Sequence, residues 1–300
     1  MPDADVYDSR IESIFSATAA LEPWCLVLPE STEDVSRLMT TISTKGCPFG
    51  IRSGGHAVYA NANSVSNGIT IDMGYMNTTT YNAETDIASV EPGARWGAVY
   101  DTLANYGVAV VGGRVTSVGV GGLILGGGNS FHSGKHGFAC NTVQAYELVL
   151  GNGTVISVSK DTHPDLFRGL CGGSGNLGIV TRFDMAAVHL NGGKERPHIW
   201  GGGGNWAYEN MDLIDRMVDI ANDAEEDPGS SVFCGWTWVK AAGDQPFGSA
   251  CLIHQVDGQD SPPLLRPLMD TPGLTSNTWR SAPISNFTDE VSGFVQHHKE

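Results

Sequence analysis

Gly112-Gly113-Arg114-Val115-Thr116-Ser117-Val118-Gly119-Val120-Gly121-Gly122-Leu123-Ile124-Leu125-Gly126-Gly127-Gly128 is the stretch on which the reading of this chain turns. It lies in the most apolar part of the sequence, yet Val108 to Gly128 holds eight glycines and Arg114, so it reads as strand and loop and not as a membrane helix. From Gly107 to Gly137 there are eleven glycines in 31 residues, and a second cluster, Gly169 to Gly178, has five in ten. The whole chain has 39 glycines in 300 residues, about twice the usual ~7% share, and they follow no G-X-Y period. Clustered glycines at strand ends let successive backbone N–H groups form anion-binding concavities with no side chain in the way. The pattern therefore points to a phosphate-bearing cofactor held by several loops.

The common phosphate motifs do not fit. Gly119-Val120-Gly121-Gly122-Leu123-Ile124 begins as G-x-G, but Ile124 stands where a Rossmann motif needs its third glycine. There is no G-x-x-x-x-G-K-[ST], no H-E-x-x-H and no G-x-S-x-G; Gly172-Gly173-Ser174-Gly175-Asn176 fails at its last position. The six cysteines are widely spaced without C-x-x-C, which disfavours zinc and leads us to expect buried free thiols, Cys140 among them. No metal site is expected.

Outward from the glycine stretch the chain alternates. Residues 31–45 read as a helix capped by Ser31 or Thr32, with Val35, Leu38, Met39 and Ile42 on one face. Strands at 25–28 and 48–52 flank it, and the second runs into Ser53-Gly54-Gly55-His56. Further strands are expected at 68–73, 87–91, 108–112, 143–150, 153–159 and 179–185, and helices at 95–106 and 164–170. Beyond a glycine-rich segment at 191–204 we expect a long amphipathic helix over 206–226, strands at 231–240 and 248–256, and a proline-rich stretch at 261–272. A domain boundary is expected near 187–200.

Lys plus Arg is 17 and Asp plus Glu is 33, a net charge of −16, which makes a poor nucleic-acid binder and argues against docking on anionic lipid. Met1 to Ser13 is acidic and shows no signal peptide. Asn77, Asn152 and Asn286 sit in Asn-x-Ser/Thr sequons, which decide little.

Four motifs, in order, resemble a known set: Ile51-Arg52-Ser53-Gly54-Gly55-His56, Val90-Glu91-Pro92-Gly93-Ala94-Arg95-Trp96-Gly97, the Gly112–Gly128 stretch, and Gly172-Gly173-Ser174-Gly175-Asn176-Leu177-Gly178-Ile179-Val180-Thr181. They resemble the FAD-linked oxidases of the vanillyl-alcohol oxidase / p-cresol methylhydroxylase (PCMH) superfamily, in the fungal berberine-bridge-enzyme-like branch. The likeness is strong over 23–187 and weak beyond. It implies an α+β fold: a two-subdomain FAD-binding domain of PCMH type over 1–190, followed by a partial substrate domain over 191–300 built as an antiparallel sheet with helices. It implies FAD as cofactor, bonded at the flavin 8α-methyl to His56, and contacts from Arg52, Ser53, Gly54, Gly55, Thr116, Ser117, Gly119, Gly121, Gly122, Gly126, Ile179 and Val180. Related enzymes often add a cysteine link where this chain has Val115, so a single link is expected. Ala57, Asn141-Thr142 and Arg168 also depart from the usual family residues.

The resemblance implies an oxidase that passes hydride from a small organic or secondary-metabolite substrate to flavin N5, with O₂ as acceptor giving H₂O₂. No catalytic residue is assigned. Relatives are often secreted and run well past 300 residues, so the alternative expectation is a truncated, catalytically impaired flavin-binding protein. Arg114 stands either near flavin or phosphate or as an exposed structural arginine. His132 and His136 are expected as solvated loop histidines, with the substrate pocket as the other reading. Trp200, Trp206, Trp236 and Trp238 are expected in the sheet core, with Trp236 and Trp238 able to floor a pocket. His297 and His298 are expected to be exposed.

Overall fold

The computed structural model describes residues 5–190, 198–206, 210–238 and 247–294, without the side chains of 237, 238, 247 and 294. His297 and His298, and the side chain of Trp238, fall outside them. Among the described residues no helix is long and apolar enough to cross a membrane.

The first unit comprises α1 (Asp5–Glu12), β1 (Cys25–Val27), α2 (Thr32–Lys45), β2 (Phe49–Arg52) and β3 (Ile69–Asp72). Ser31 Oγ accepts from the Asp34 N–H at 3.2 Å, and Glu33 and Asp34 sit at the favourable end of the helix dipole of α2. Gly46, at φ +64°, stops the helix in the left-handed conformation that glycine adopts without penalty. Val35, Met39 and Ile42 bury one face against Ile71 and Met73. The three strands run parallel in the order β1-β3-β2, so the β-α-β crossover skips a position that β3 fills.

The second unit adds β4 (Thr79–Asn82), β5 (Ile87–Val90), α3 (Trp96–Ala104), β6 (Val108–Ala109), α4 (Val120–Leu125), α5 (Ser133–His136), β7 (Val143–Val149), β8 (Val155–Ser159), α6 (Pro164–Leu170), β9 (Ile179–Ala186) and β10 (Val188–His189). Five strands form an antiparallel sheet, β4-β5-β9-β7-β8. Gly151-Asn152-Gly153 closes the β7–β8 hairpin, as expected, with Val149 opposite Val155. Trp96 and Tyr100 of α3 and Tyr146 and Phe183 of the sheet share one large core.

The third unit holds β11 (His198–Trp206), α7 (Asp212–Asn222), β12 (Ser230–Trp238), β13 (Phe247–Gln255), α8 (Arg266–Met269), β14 (Leu274–Asn277), β15 (Arg280–Pro283) and α9 (Ile284–Phe294). Its sheet is antiparallel, β12-β13-β11-β14, with β15 also paired to β11. Two faces follow from the two-residue period. Trp200, Trp206, Cys251 and Ile253 pack with Leu213 and Ile220 of α7 and with Leu265 and Leu268. Ile199 and Ala282, on the other face, join the core of the second unit together with Ile284 and Phe287 of α9.

Three expectations are corrected here. Gly201 to Gly204 are not part of a connecting segment but lie in β11, between β13 and the β14/β15 edge. A Cβ on Gly201 would lie 2.3 Å from the Ile253 carbonyl oxygen, so the glycines permit neighbouring backbone to close in. The helix expected over 206–226 is shorter, because buried Trp206 ends β11 and donates its indole N–H to the Thr271 carbonyl at 3.1 Å. Four of the six cysteines are not thiols: Cys140 bonds Cys171, and Cys234 bonds Cys251. Cys234 stands directly opposite Cys251 across β12 and β13, a register that spacing along the chain does not reveal. Cys25 and Cys47 remain free. Thiol titration of denatured, unreduced protein is therefore expected to find two thiols, and six after reduction. Six before reduction would contradict the pairing.

Candidate cofactor site

The site begins where β3 ends. Asp72, fully buried, pairs with Arg10, whose Nε lies 2.7 Å from Oδ2, and with Arg52 at 3.2 Å, and it accepts the Gly74 N–H at 2.9 Å. Arg52 is itself fully buried, donates to the Arg10 carbonyl and reaches Ser13 Oγ at 2.7 Å. Burial pushes its guanidinium down to about 10, opposed by Asp72 and reinforced by Arg10 and Arg95. These bonds fix the start of the 52–56 loop. Phe15 N–H donates to the Gly55 carbonyl at 3.0 Å, where Gly55 takes φ +72°. Ser53 Oγ donates to the Pro92 carbonyl at 2.6 Å.

The glycine stretch quoted first supplies the facing loop. A Cβ on Gly54 would lie 2.2 Å from the Gly119 nitrogen, and one on Gly119 would lie 2.3 Å from the Gly54 nitrogen. No side chain other than hydrogen fits between these two backbones. Arg95 bridges them: one guanidinium nitrogen, Nη1, donates to the Gly54 carbonyl and, at 2.7 Å, to the Ser117 carbonyl. Burial holds the Arg95 guanidinium below its ordinary range, and Arg10 adds to the effect. With Arg10 it also lines a cavity of about 310 Å³. The 115–121 segment is held in turn by the turn before α3: Trp96 N–H donates to the Val118 carbonyl, Val120 N–H to Ala94 and Gly121 N–H to Pro92.

His56 Nε2 stands 3.0 Å from Ser117 Oγ, a pair in which either group can donate. The Phe15 ring stacks on the imidazole, centroids 4.9 Å apart and planes 14° from parallel. The residues expected at the site thus divide. Arg52, Ser53, Gly54, Gly55, His56, Thr116, Ser117, Gly119 and Gly121 meet in one constellation. Thr116 Oγ1 lies 2.5 Å from Asp289 of α9, and its N–H donates to Ser292 Oγ at 2.9 Å. Gly122 faces open space, as do Gly127 and Gly172, while Gly126 meets only backbone of its own helix. Ile179 and Val180 bury their side chains in two separate core clusters, which leaves their backbone alone for a cofactor. Phe15, Arg10, Asp72 and Arg95 were not singled out. Arg95 lies inside a quoted motif, but the motif gives no sign that its charge spans two loops.

Gly122, Gly127 and Gly172 present bare backbone to open space, the kind of lining in which N–H groups can meet a phosphate-bearing cofactor. Val115 offers no second nucleophile.

His136 is exposed, as expected, but His132 is buried, against expectation. The third unit touches α5: the Pro228 carbonyl abuts Gly134, and Lys135 pairs with Asp257 at 2.6 Å. Neither ring nitrogen of His132 has a partner, and burial, with His136 adding, pushes it down to about 4. His254, between Phe131 and Phe287, is pushed down to about 3 by burial, then by Arg114 and Arg280. Arg114 is half-buried. Trp200 and Trp206 are core residues, as expected. Trp236 is exposed, against the expectation of sheet core, and it shares a face of β12 with buried Cys234, the face towards α7, so it does not floor a pocket against the first two units.

The comparisons with known proteins agree with this architecture. Residues 23–159 match the family described as an FAD binding domain. The FAD-dependent monooxygenase sdcF of Emericella nidulans is 40% identical over 294 residues, which cover 97% of this chain and 60% of that protein. Among solved structures, 6-hydroxy-D-nicotine oxidase of Arthrobacter nicotinovorans superposes with a TM-score of 0.82 at 23% identity, over 96% of this chain and 62% of that one. The berberine-bridge-enzyme-like protein 1 of Physcomitrella patens superposes with a TM-score of 0.80 at 20% identity, over 94% and 60%. The fold is that of the PCMH-type FAD oxidases. The chain spans about 60% of the length of the relatives it matches.

The buried histidines make stability pH-dependent. Unfolded His132 takes a proton near pH 6.5, folded His132 only near 4, so its contribution is complete above 6.5 and is lost as pH falls towards 4. The loss is on the order of 3 kcal/mol. Urea unfolding at pH 7 and at pH 4.5 is expected to show a smaller drop in stability for His132→Phe than for wild type; equal drops would contradict the assignment.

Proposed function

We propose that this protein is an FAD-dependent oxidoreductase. It takes hydride from a small organic substrate of secondary metabolism onto flavin N5, with O₂ as acceptor and H₂O₂ as product. The observation that carries this reading is the meeting of the 52–56 and 116–121 loops, with His56 and Ser117 in contact where they meet. FAD held there supplies the redox chemistry, while the protein supplies binding, orientation and electrostatics.

Each part of the cradle has its own task. The backbone N–H groups of Ser53 to His56 and of Ser117, Gly119 and Gly122 receive the pyrophosphate, where side chains are small or missing, while those of Val118, Val120 and Gly121 are spent on neighbouring carbonyls. Arg52 braces the loop through its two terminal nitrogens, which go to Arg10, Ser13 and Asp72, while its buried Nε has no hydrogen-bond partner. His56 carries the covalent attachment, and with Val115 in the neighbouring loop it carries it alone. The substrate lies on the side of the third-unit sheet that bears Gly203, Leu252 and Phe233, the last 55% exposed. The name of the Emericella relative, an FAD-dependent monooxygenase, supports flavin chemistry with oxygen. The net charge of −16 speaks against nucleic-acid or anionic-lipid partners.

Purified protein is expected to be yellow, with flavin absorbance that stays in the pellet on acid precipitation. His56→Ala is expected to release its flavin to the supernatant. Colourless protein after reconstitution with FAD would overturn the cofactor reading, and a yellow pellet from His56→Ala would overturn the linkage.

A further inference from the structure

His56 is gripped more tightly than pyrophosphate binding requires. Its ring stacks on Phe15 at 4.9 Å and its Nε2 meets Ser117 Oγ at 3.0 Å. Two constraints, one on the plane of the imidazole and one along an edge, leave the side chain a single orientation. Ser117 is fixed as well, because its carbonyl accepts from Arg95 Nη1 at 2.7 Å and the same nitrogen donates to Gly54, two residues before His56. Arg95 thus sets the distance between the loop that carries the imidazole and the loop that carries the hydroxyl.

We infer that Ser117, braced by Arg95, is the positioning residue for attachment of the flavin: it holds the His56 ring and selects the tautomer whose lone pair forms the bond. The inference rests on the reading that His56 is the attachment point. In the attachment an imidazole nitrogen bonds to the 8α-methyl carbon. One hydrogen leaves that methyl group and one leaves the imidazole; the two electrons and two protons pass to O₂, which departs as H₂O₂. A neutral imidazole has one N–H and one lone pair, on different nitrogens. With Ser117 Oγ accepting from Nε2–H, the hydrogen stays on Nε2 and the lone pair that forms the bond is on Nδ1, and the contact steadies the ring as the hydrogen is shed. Ser117 has no need to touch the flavin to do this.

The test separates binding from attachment. Apoprotein of wild type, Ser117→Ala, Ser117→Thr and His56→Ala is mixed with FAD in air. Total bound flavin is measured by ultrafiltration, and acid-stable flavin by precipitation over time. Wild type is expected to bind flavin and make it acid-stable. Ser117→Ala is expected to bind it but to attach it about tenfold or more slowly, the effect of one lost hydrogen bond between neutral groups. Ser117→Thr, which keeps the hydroxyl, is expected to restore the rate, a rescue that a merely structural role would not give. Attachment by Ser117→Ala at the wild-type rate overturns the inference. So does loss of all flavin binding in Ser117→Ala with an unchanged melting temperature, which would make Ser117 a binding group. Wild type that binds FAD but never makes it acid-stable overturns the His56 reading itself, and this inference with it.

Discussion

The approach of two backbones, at Gly54 and Gly119, is the constraint on which the rest of this structure depends. Any side chain there would have to displace backbone, since a Cβ on either residue comes within 2.3 Å of the other's nitrogen. Forcing such a contact apart costs about 1–3 kcal/mol or more, and here it would also open the site. Arg95 holds the approach. Burying a guanidinium away from a carboxylate costs several kcal/mol, and two hydrogen bonds to carbonyls return about 1.5–3 kcal/mol each. The two figures nearly cancel. Arg95 therefore adds little net stability, and what it contributes is the spacing of the two loops. Asp72 does the complementary work at the root of the first loop, where it neutralises Arg10 and anchors Arg52.

The same economy extends to the third unit. Its sheet is not a separate body, because Ile199, Val256 and Ala282 lie in the core that Trp96 and Tyr100 also fill. Helix α9 touches the site directly through Thr288, Asp289 and Ser292 on Thr116. A change at the third-unit sheet is thus one helix away from the loop beside His56. The buried rings of His132 and His254 lie at this same junction, and this is where acid weakens the protein.

Much of this was legible in the sequence. The β-α-β start, the Ser31 cap and the Gly151–Gly153 hairpin follow from local rules of helical periodicity, capping and turn chemistry, whereas the sharing of one site by residues 52–56 and 116–121 came from the resemblance to the flavin oxidases. What stayed hidden depends on long-range register. Cys234 and Cys251 pair because β12 and β13 align them, Gly201 to Gly204 are strand because β13 and β14 close on them, and His132 is buried where the chain entering α5 meets the third unit. Phe15 had no motif at all; only the fold brings the N-terminal segment onto the imidazole. Ile179 and Val180 show the reverse limit, since a motif marks their position while the structure buries their side chains in cores.

Amide hydrogen exchange with and without FAD tests the central claim most directly. If one cofactor spans the two abutting loops, the amides of Ser53 to His56 and of Ser117 to Gly122 will slow together when FAD is added, while those of β12 and α7 will not change. Slowing in only one of the two loops, or only elsewhere in the chain, would contradict the account.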